Sequence, residues 1–288
     1  MKSKIKVIVL CCDGLYQRYL IRRISEEHEL AGVVLRIKPN AKGSLQSRLA
    51  RYVNPVELFH YLEARFFMLG ETAKAAPLIS RLFYTDGKPP ALPADAPTIR
   101  VEDINTPAVM DFINGLHPDV ICVNGTNLLR EPLLKLIPGI PYGIINLHTG
   151  LSPYSRGGNC NLFMLLEGHS ELVGITVHHI DKGADSGDII ITARPELEPG
   201  DNYAMIDAKT FRLGIDMMLV GIRQLIEKRA ARVKQWEGGK LFLRSTGYRY
   251  YPYLRLKVAR LAKKGLISDY LRDQKRIDAN VKLAGEQH

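Results

Sequence analysis

Two apolar runs separated by a helical period occupy the first forty positions. Lys6 to Leu10 is a β-branched run that ends in the turn Cys11-Cys12-Asp13-Gly14. Leu15, Tyr19, Leu20 and Ile24 then fall on one side of a helix, which predicts a helix over Leu15 to Glu27, and Leu30 to Ile37 predicts the next strand. A strand, helix, strand beginning implies a parallel sheet. The first turn carries neither G-x-G-x-x-G nor a Walker pattern, so it supports no dinucleotide or P-loop nucleotide there.

Between Lys38 and Thr98 the pattern is irregular and predicts a helical insertion. Leu58, Leu62, Phe66 and Leu69 repeat at helical spacing, Pro77 to Tyr84 predicts a further short helix, and prolines close the segment at Lys88-Pro89-Pro90 and Pro93 to Pro97. A helical hairpin packed on its own domain is the expectation. A cap over the active site, a contact with a second subunit of a homo-oligomer and an anionic membrane surface are the alternatives, since Arg48, Arg51, Arg65 and Arg81 border the apolar positions.

Regular structure resumes with a helix in Asp103 to Leu116, where Pro107 suits the first turn. The strand Val120 to Val123 follows and ends at Asn124-Gly125-Thr126-Asn127-Leu128-Leu129, the kind of strand end where parallel α/β sheets bind ligands. Ile144-Ile145-Asn146-Leu147-His148 reads as a buried strand. Alternate strand residues share a face, so Asn146 and His148 come together. A bend rich in glycine and serine, Thr149 to Gly158, leads through a second strand, Gly174 to Ile180, to a turn holding Asp185. A carboxylate near an imidazole orients it and raises its pKa, which suits acyl transfer to an amine.

In order, these residues read Asn146-Leu147-His148, Pro153, Arg156-Gly157, Gly174-Ile175-Thr176 and Asp185-Ser186-Gly187. The series resembles the folate-dependent formyltransferase family, which includes the glycinamide ribonucleotide, methionyl-tRNA and amino-sugar N-formyltransferases. The resemblance covers roughly residues 100 to 228 and implies an α/β fold with an open, mostly parallel Rossmann-like sheet. It also implies 10-formyltetrahydrofolate as formyl donor, with Asn146, His148 and Asp185 catalytic and Asn124, Gly125, Thr126, Leu128, Leu129 and Asp181 at the donor site. Moving a formyl group to a primary amine needs a neutral amine, stabilisation of the oxyanion and a route for one proton. In this reading the Asn146 amide donates to the formyl oxygen, and His148 donates to the oxyanion or relays the proton while Asp185 holds its tautomer. Whether His148 or a water assisted by Asp185 takes the amine proton is open. His178 and His179 are adjacent, face opposite ways on their strand, and are read as structural. No ligand cluster predicts a metal site.

The 288 residues suffice for one large domain with an appendage: a catalytic domain over 1–229, with the insertion at about 38–98, and a basic C-terminal extension over 230–288. The net charge of +10 resides in the tail, because residues 228–288 hold 16 Lys and Arg against 5 Asp and Glu and leave the rest of the chain at −1. Cationic residues there are interleaved with Tyr248-Arg249-Tyr250-Tyr251-Pro252-Tyr253, after a short hairpin expected around Gly238-Gly239 and before a basic helix from Leu254 to Arg276. About sixty residues are too few for the β-barrel that methionyl-tRNA enzymes carry, which weighs against tRNA. The expected acceptor is a small phosphorylated amine, a nucleotide- or lipid-linked amino sugar. The other readings are a formyltetrahydrofolate hydrolase, a methionyl-tRNA formyltransferase-like enzyme and a non-catalytic binding protein. The four cysteines show no C-x-x-C spacing, and the apolar run Ile5 to Cys12 is too short for a membrane span. The expectation is a cytoplasmic protein, with a peripheral position at the inner membrane face as an extension of it.

Overall fold

The computed structural model describes residues 4–37 and 55–285. The opening run forms β1 (Lys6–Cys12), α1 (Leu15–Glu27) and β2 (Glu29–Arg36), followed by α2 (Pro55–Phe83) and β3 (Thr98–Val101). Then come α3 (Pro107–Leu116), β4 (Val120–Asn124), α4 (Glu131–Leu134), β5 (Ile144–His148), β6 (Ser155–Gly157) and α5 (Cys160–Leu166). The strands β7 (Ile175–His179) and β8 (Ile189–Ala193) precede α6 (Tyr203–Ile226), whose first turn is capped by Asn202 Oδ1 accepting from Met205 N. The tail adds β9 (Lys240–Phe242), α7 (Tyr253–Lys263), α8 (Leu266–Arg272) and α9 (Gln274–Asp278).

Seven strands make one open sheet in the order β3-β2-β1-β4-β5-β7-β8. The first five are parallel, and β7 runs antiparallel between β5 and the edge strand β8. The α/β, mostly parallel sheet expected from the sequence is therefore present. Strand residues divide between its faces: Val7, Val9 and Cys11 of β1 join the core under α1 and α6, while Ile8 and Leu10 join the core under α3. Chain order turns back across the sheet at β1, whose neighbours are β2 and β4, so a crevice opens beyond the carboxyl ends of the central strands.

Three local expectations are corrected. The two helices expected after residue 55 are one, and Pro77 lies inside it. Burial of Ala64, Ala75 and Phe83 anchors both halves of α2, and that packing outweighs the hydrogen bond a mid-helix proline forfeits. Residues 38–54 of the insertion lie outside the described residues. Gly238-Gly239 makes no hairpin; it lets the chain pass close beneath the Pro153 and Tyr154 carbonyls so that β9 pairs in parallel with β6. The basic stretch is three helices, because Gly265 at φ 103° terminates the first. Phe242, Leu254, Val258, Ile267 and Tyr270 of the tail share a core with α5, so the tail packs against the loop region that carries the site. Among the described residues no helix is long and apolar enough to cross a membrane.

Candidate active site

The antiparallel pairing of β5 with β7 sets Asn146 opposite His178 and His148 opposite Thr176. All four side chains thus belong to one face of the sheet at its carboxyl edge. Thr176 is fully buried; its Oγ1 donates to Gly150 O at 2.7 Å and accepts from Ser152 N at 2.8 Å. That pair of bonds pins the loop after β5 over His148. Gly150 permits the closure, since a Cβ there would stand 2.4 Å from His148 Nε2.

Asp185 is the hub. Its Oδ1 accepts from Asn146 Nδ2 at 3.1 Å, and its Oδ2 accepts from Gly157 N at 3.0 Å. His148 Nδ1 lies 3.5 Å from Oδ2 and His178 Nε2 lies 3.4 Å from Oδ1. Burial pushes the Asp185 carboxyl up, but the adjacent His148, the contact with His178 and the Gly157 amide reverse this and hold it well below the ordinary carboxylate range. Asp185 has φ 49°, a left-handed conformation that Asp adopts more readily than most residues. The turn is braced from both sides. Asp181 Oδ1 accepts from Gly183 N at 3.0 Å and Ser186 Oγ at 2.7 Å, and Gln235 Nε2 donates to the carbonyls of Asp185 and Gly187.

His178 Nδ1 faces the His179 carbonyl at 2.7 Å, so the ring proton sits on Nδ1 and Nε2 accepts from Asn146 Nδ2 at 3.1 Å. Both amide hydrogens of Asn146 therefore point at protein partners, and its carbonyl oxygen is the group left for a ligand. Each nitrogen of His148 faces an oxygen, Nδ1 towards Asp185 and Nε2 towards Ser155 O at 3.4 Å. Burial lowers the pKa of His148; the Asp185 charge opposes the shift and does not overcome it.

These groups open on a cleft of about 400 Å³, within the size range of small-molecule sites. Asn124, Gly125, Thr126, Leu128, Leu129 and Asp181, the residues expected at a donor site, all border it. They differ in what they can offer. Asn124 is buried and fully engaged, accepting from Gln17 Nε2 at 2.7 Å and donating to Leu147 O at 2.8 Å, so it fixes the wall. Leu129 is core, whereas Leu128 is 58% exposed and presents an apolar face. With Val123, Ile180 and Phe211 it forms an apolar lining beside the backbone groups of residues 124–126, a combination that fits a flat heterocycle with polar edges. The structure brings His178, read from the sequence as structural, against Asn146 and Asp185, and adds the contacts of Thr176, Gln235 and the Gly157 amide. Strand alternation allows one histidine of the 178–179 pair to face the site, and only the strand register decides which. Among the described residues no group of His, Cys, Asp and Glu could hold a metal ion.

Comparison with known proteins agrees with this architecture. The formyl transferase family profile matches residues 72–220, just over half of the chain. A methionyl-tRNA formyltransferase from Syntrophus aciditrophicus (strain SB) is 28% identical over 139 residues, covering 48% of this chain and 44% of that protein. Its counterpart from Ehrlichia ruminantium (strain Welgevonden) is 34% identical over 109 residues, covering 38% of this chain and 35% of that protein. The chain thus spans less than half the length of these curated relatives. Among solved structures, glycinamide ribonucleotide transformylase 1 from Symbiobacterium toebii superposes with a TM-score of 0.52 at 20% identity, over 82% of this chain and 95% of that one, and shares the fold. By the family profile, its matched residues and the fold that carries them, this chain belongs to the formyl transferase family.

Proposed function

We propose that the chain transfers a formyl group from 10-formyltetrahydrofolate to the primary amine of a small phosphorylated acceptor, an amino sugar carried on a nucleotide or a lipid. The observation that carries this reading is the convergence of Asn146, His148 and Asp185 on one cleft. The donor supplies an activated formyl group. The apolar lining from Leu128 to Phe211 and the backbone at 124–126 hold its heterocycle. Asn146 Oδ1, whose amide hydrogens are engaged elsewhere, accepts from the incoming amine and aims it. This differs from the donor role expected from the sequence, and it follows from the contacts with His178 and Asp185. His148 takes the amine proton as the amine adds to the formyl carbon, because burial keeps the ring neutral, and the imidazolium returns that proton to N10 as the formyl–N10 bond breaks and tetrahydrofolate leaves. Asp185 stabilises the imidazolium so formed.

The test follows consumption of 10-formyltetrahydrofolate with a panel of nucleotide-linked amino sugars, lipid-linked amino sugars and initiator methionyl-tRNA. His148→Ala and a reaction without amine serve as controls. Turnover with an amino sugar that disappears in His148→Ala supports the proposal. Turnover with methionyl-tRNA alone assigns the chain to the activity of its curated relatives, and formate release without amine makes it a hydrolase.

A further inference from the structure

Large apolar side chains reach solvent together at one place on the surface. Phe59, Leu62, Phe66 and Leu69 recur at helical spacing on the outward side of the first half of α2; Phe66 is 72% exposed, Leu69 62% and Leu62 42%. The opposite side of the helix buries Ala64, Glu71 and Ala75. Elsewhere among the described residues, exposed large aliphatic side chains occur singly, Ile37 after β2 and Leu128 in the cleft. A continuous exposed apolar stripe marks a contact surface, whereas single exposed residues do not.

Helix α7 lies beside this stripe. Arg260 Nη2 is 3.3 Å from Glu63 Oε1 and Arg255 Nε is 3.0 Å from Glu71 Oε2, so contacts that advance along α2 retreat along α7 and the two helices run antiparallel. Leu254 and Val258 turn into the core shared with α5, while Tyr253, Lys257, Arg260 and Lys264 recur on the exposed side. α7 holds no acidic residue, and α2 and α7 together hold seven Lys and Arg against three Glu. Two of those glutamates, Glu63 and Glu71, are the ones engaged by the α7 arginines. At 100° per residue, Glu63 and the exposed Arg65 fall on opposite edges of the stripe, so cations flank it on both sides.

Apolar side chains between two rows of cations match the boundary of an anionic bilayer, where the former enter the acyl region and the latter meet lipid phosphates. A second copy of the chain fits less well, because a closed two-fold contact sets each patch against its own likeness and brings the two basic helices together. A nucleic acid would use the cations and leave the stripe in water.

We propose that α2 and α7 form a docking face for an anionic membrane surface, with the α2 stripe in the interface and the α7 cations on the headgroups. None of these residues borders the cleft, so the docking face is independent of the formyl-transfer reading.

Flotation of the full chain with vesicles tests it, comparing equimolar phosphatidylcholine and phosphatidylglycerol with phosphatidylcholine alone. The expected result is binding to the anionic vesicles that is lost on the neutral ones and weakened by salt. Phe66→Ser/Leu69→Ser weakens it by about tenfold or more, and Lys257→Gln/Lys264→Gln by about tenfold. All four side chains are exposed, so both variants are expected to keep the wild-type urea midpoint, which reports their folding; Phe66→Gln alone gives a second reading if the double variant is less stable. No binding to anionic vesicles, or binding that the apolar substitutions leave unchanged, overturns the docking face. Analytical ultracentrifugation without lipid reads the competing occupant: a wild-type dimer that Phe66→Ser/Leu69→Ser dissociates assigns the stripe to a second copy and overturns the proposal.

Discussion

Asn146 and His178 face each other across β5 and β7, and Asn146 Nδ2 lies 3.1 Å from His178 Nε2. The histidine is held in turn by the His179 carbonyl, so it presents a fixed acceptor to one amide hydrogen while Asp185 takes the other. His178 is a positioning residue for Asn146. His178→Ala is expected to lower kcat by about tenfold or more with the affinity for folate unchanged, since a small loss of alignment is costly. His178→Gln keeps an acceptor on a longer arm and is expected to recover part of the loss. Steady-state kinetics with both variants decide it, and equal rates in wild type and His178→Ala would remove the role.

The pH dependence follows from His148. Its folded pKa lies below the ordinary 6.5, so the neutral, proton-accepting form persists into mildly acidic solution. The acid limb of kcat/KM is therefore expected below pH 6.5. Asp185→Asn removes the charge that opposes the shift, so the limb moves further down while kcat falls by about 10²- to 10⁴-fold, the usual span for losing an acid–base partner. An acid limb above 6.5 in the wild type would contradict the assignment.

Much of this site is written locally. The apolar run Ile144 to Leu147 fixes a strand, and its alternation alone places Asn146 with His148. The Asp185 turn is equally legible, because Asp181, Gly183, Ser186 and Gly187 are turn residues, and the first three hydrogen-bond within the segment. What the sequence withholds is register and long-range packing. His178 enters the site because β7 pairs with β5 at that position; slipping the pairing by one residue would present His179 instead. Gln235 reaches Asp185 from 50 positions away, which no local pattern signals. Helix α2 shows the converse failure: Pro77 reads as a boundary, and tertiary contacts of Ala64, Ala75 and Phe83 override it.

Thr176 tests how the loop over His148 is held. Thr176→Val keeps the shape and removes both the donor to Gly150 O and the acceptor for Ser152 N, leaving two buried backbone groups unpaired. At about 1–3 kcal/mol for each group, a loss of roughly 2–6 kcal/mol in unfolding free energy is expected by urea titration. Activity falls with it where the variant is still folded, because the loop no longer presses on the imidazole. Thr176→Ser retains both bonds and is expected to stay close to wild type in rate.

Asp207 on α6 gives a stability prediction away from the chemistry. Burial raises its pKa to about 6, Arg255 acts against that and Glu71 reinforces it. The unfolded chain ionises near the ordinary 3.8, so between pH 3.8 and 6 the folded protein binds more protons than the unfolded one. This carboxyl therefore makes stability fall as pH rises through that window, and the loss persists at pH 7. Asp207→Asn is expected to be more stable than wild type at pH 7 by on the order of 1–3 kcal/mol, and to match it near pH 4. Asp185, with its lowered pKa, contributes the opposite slope at more acid pH. The difference between variant and wild type cancels that contribution, so urea midpoints at pH 4, 5.5 and 7 isolate Asp207. A variant equally stable at pH 4 and destabilised at pH 7 would show that the attraction of Arg255 outweighs the burial of the carboxylate.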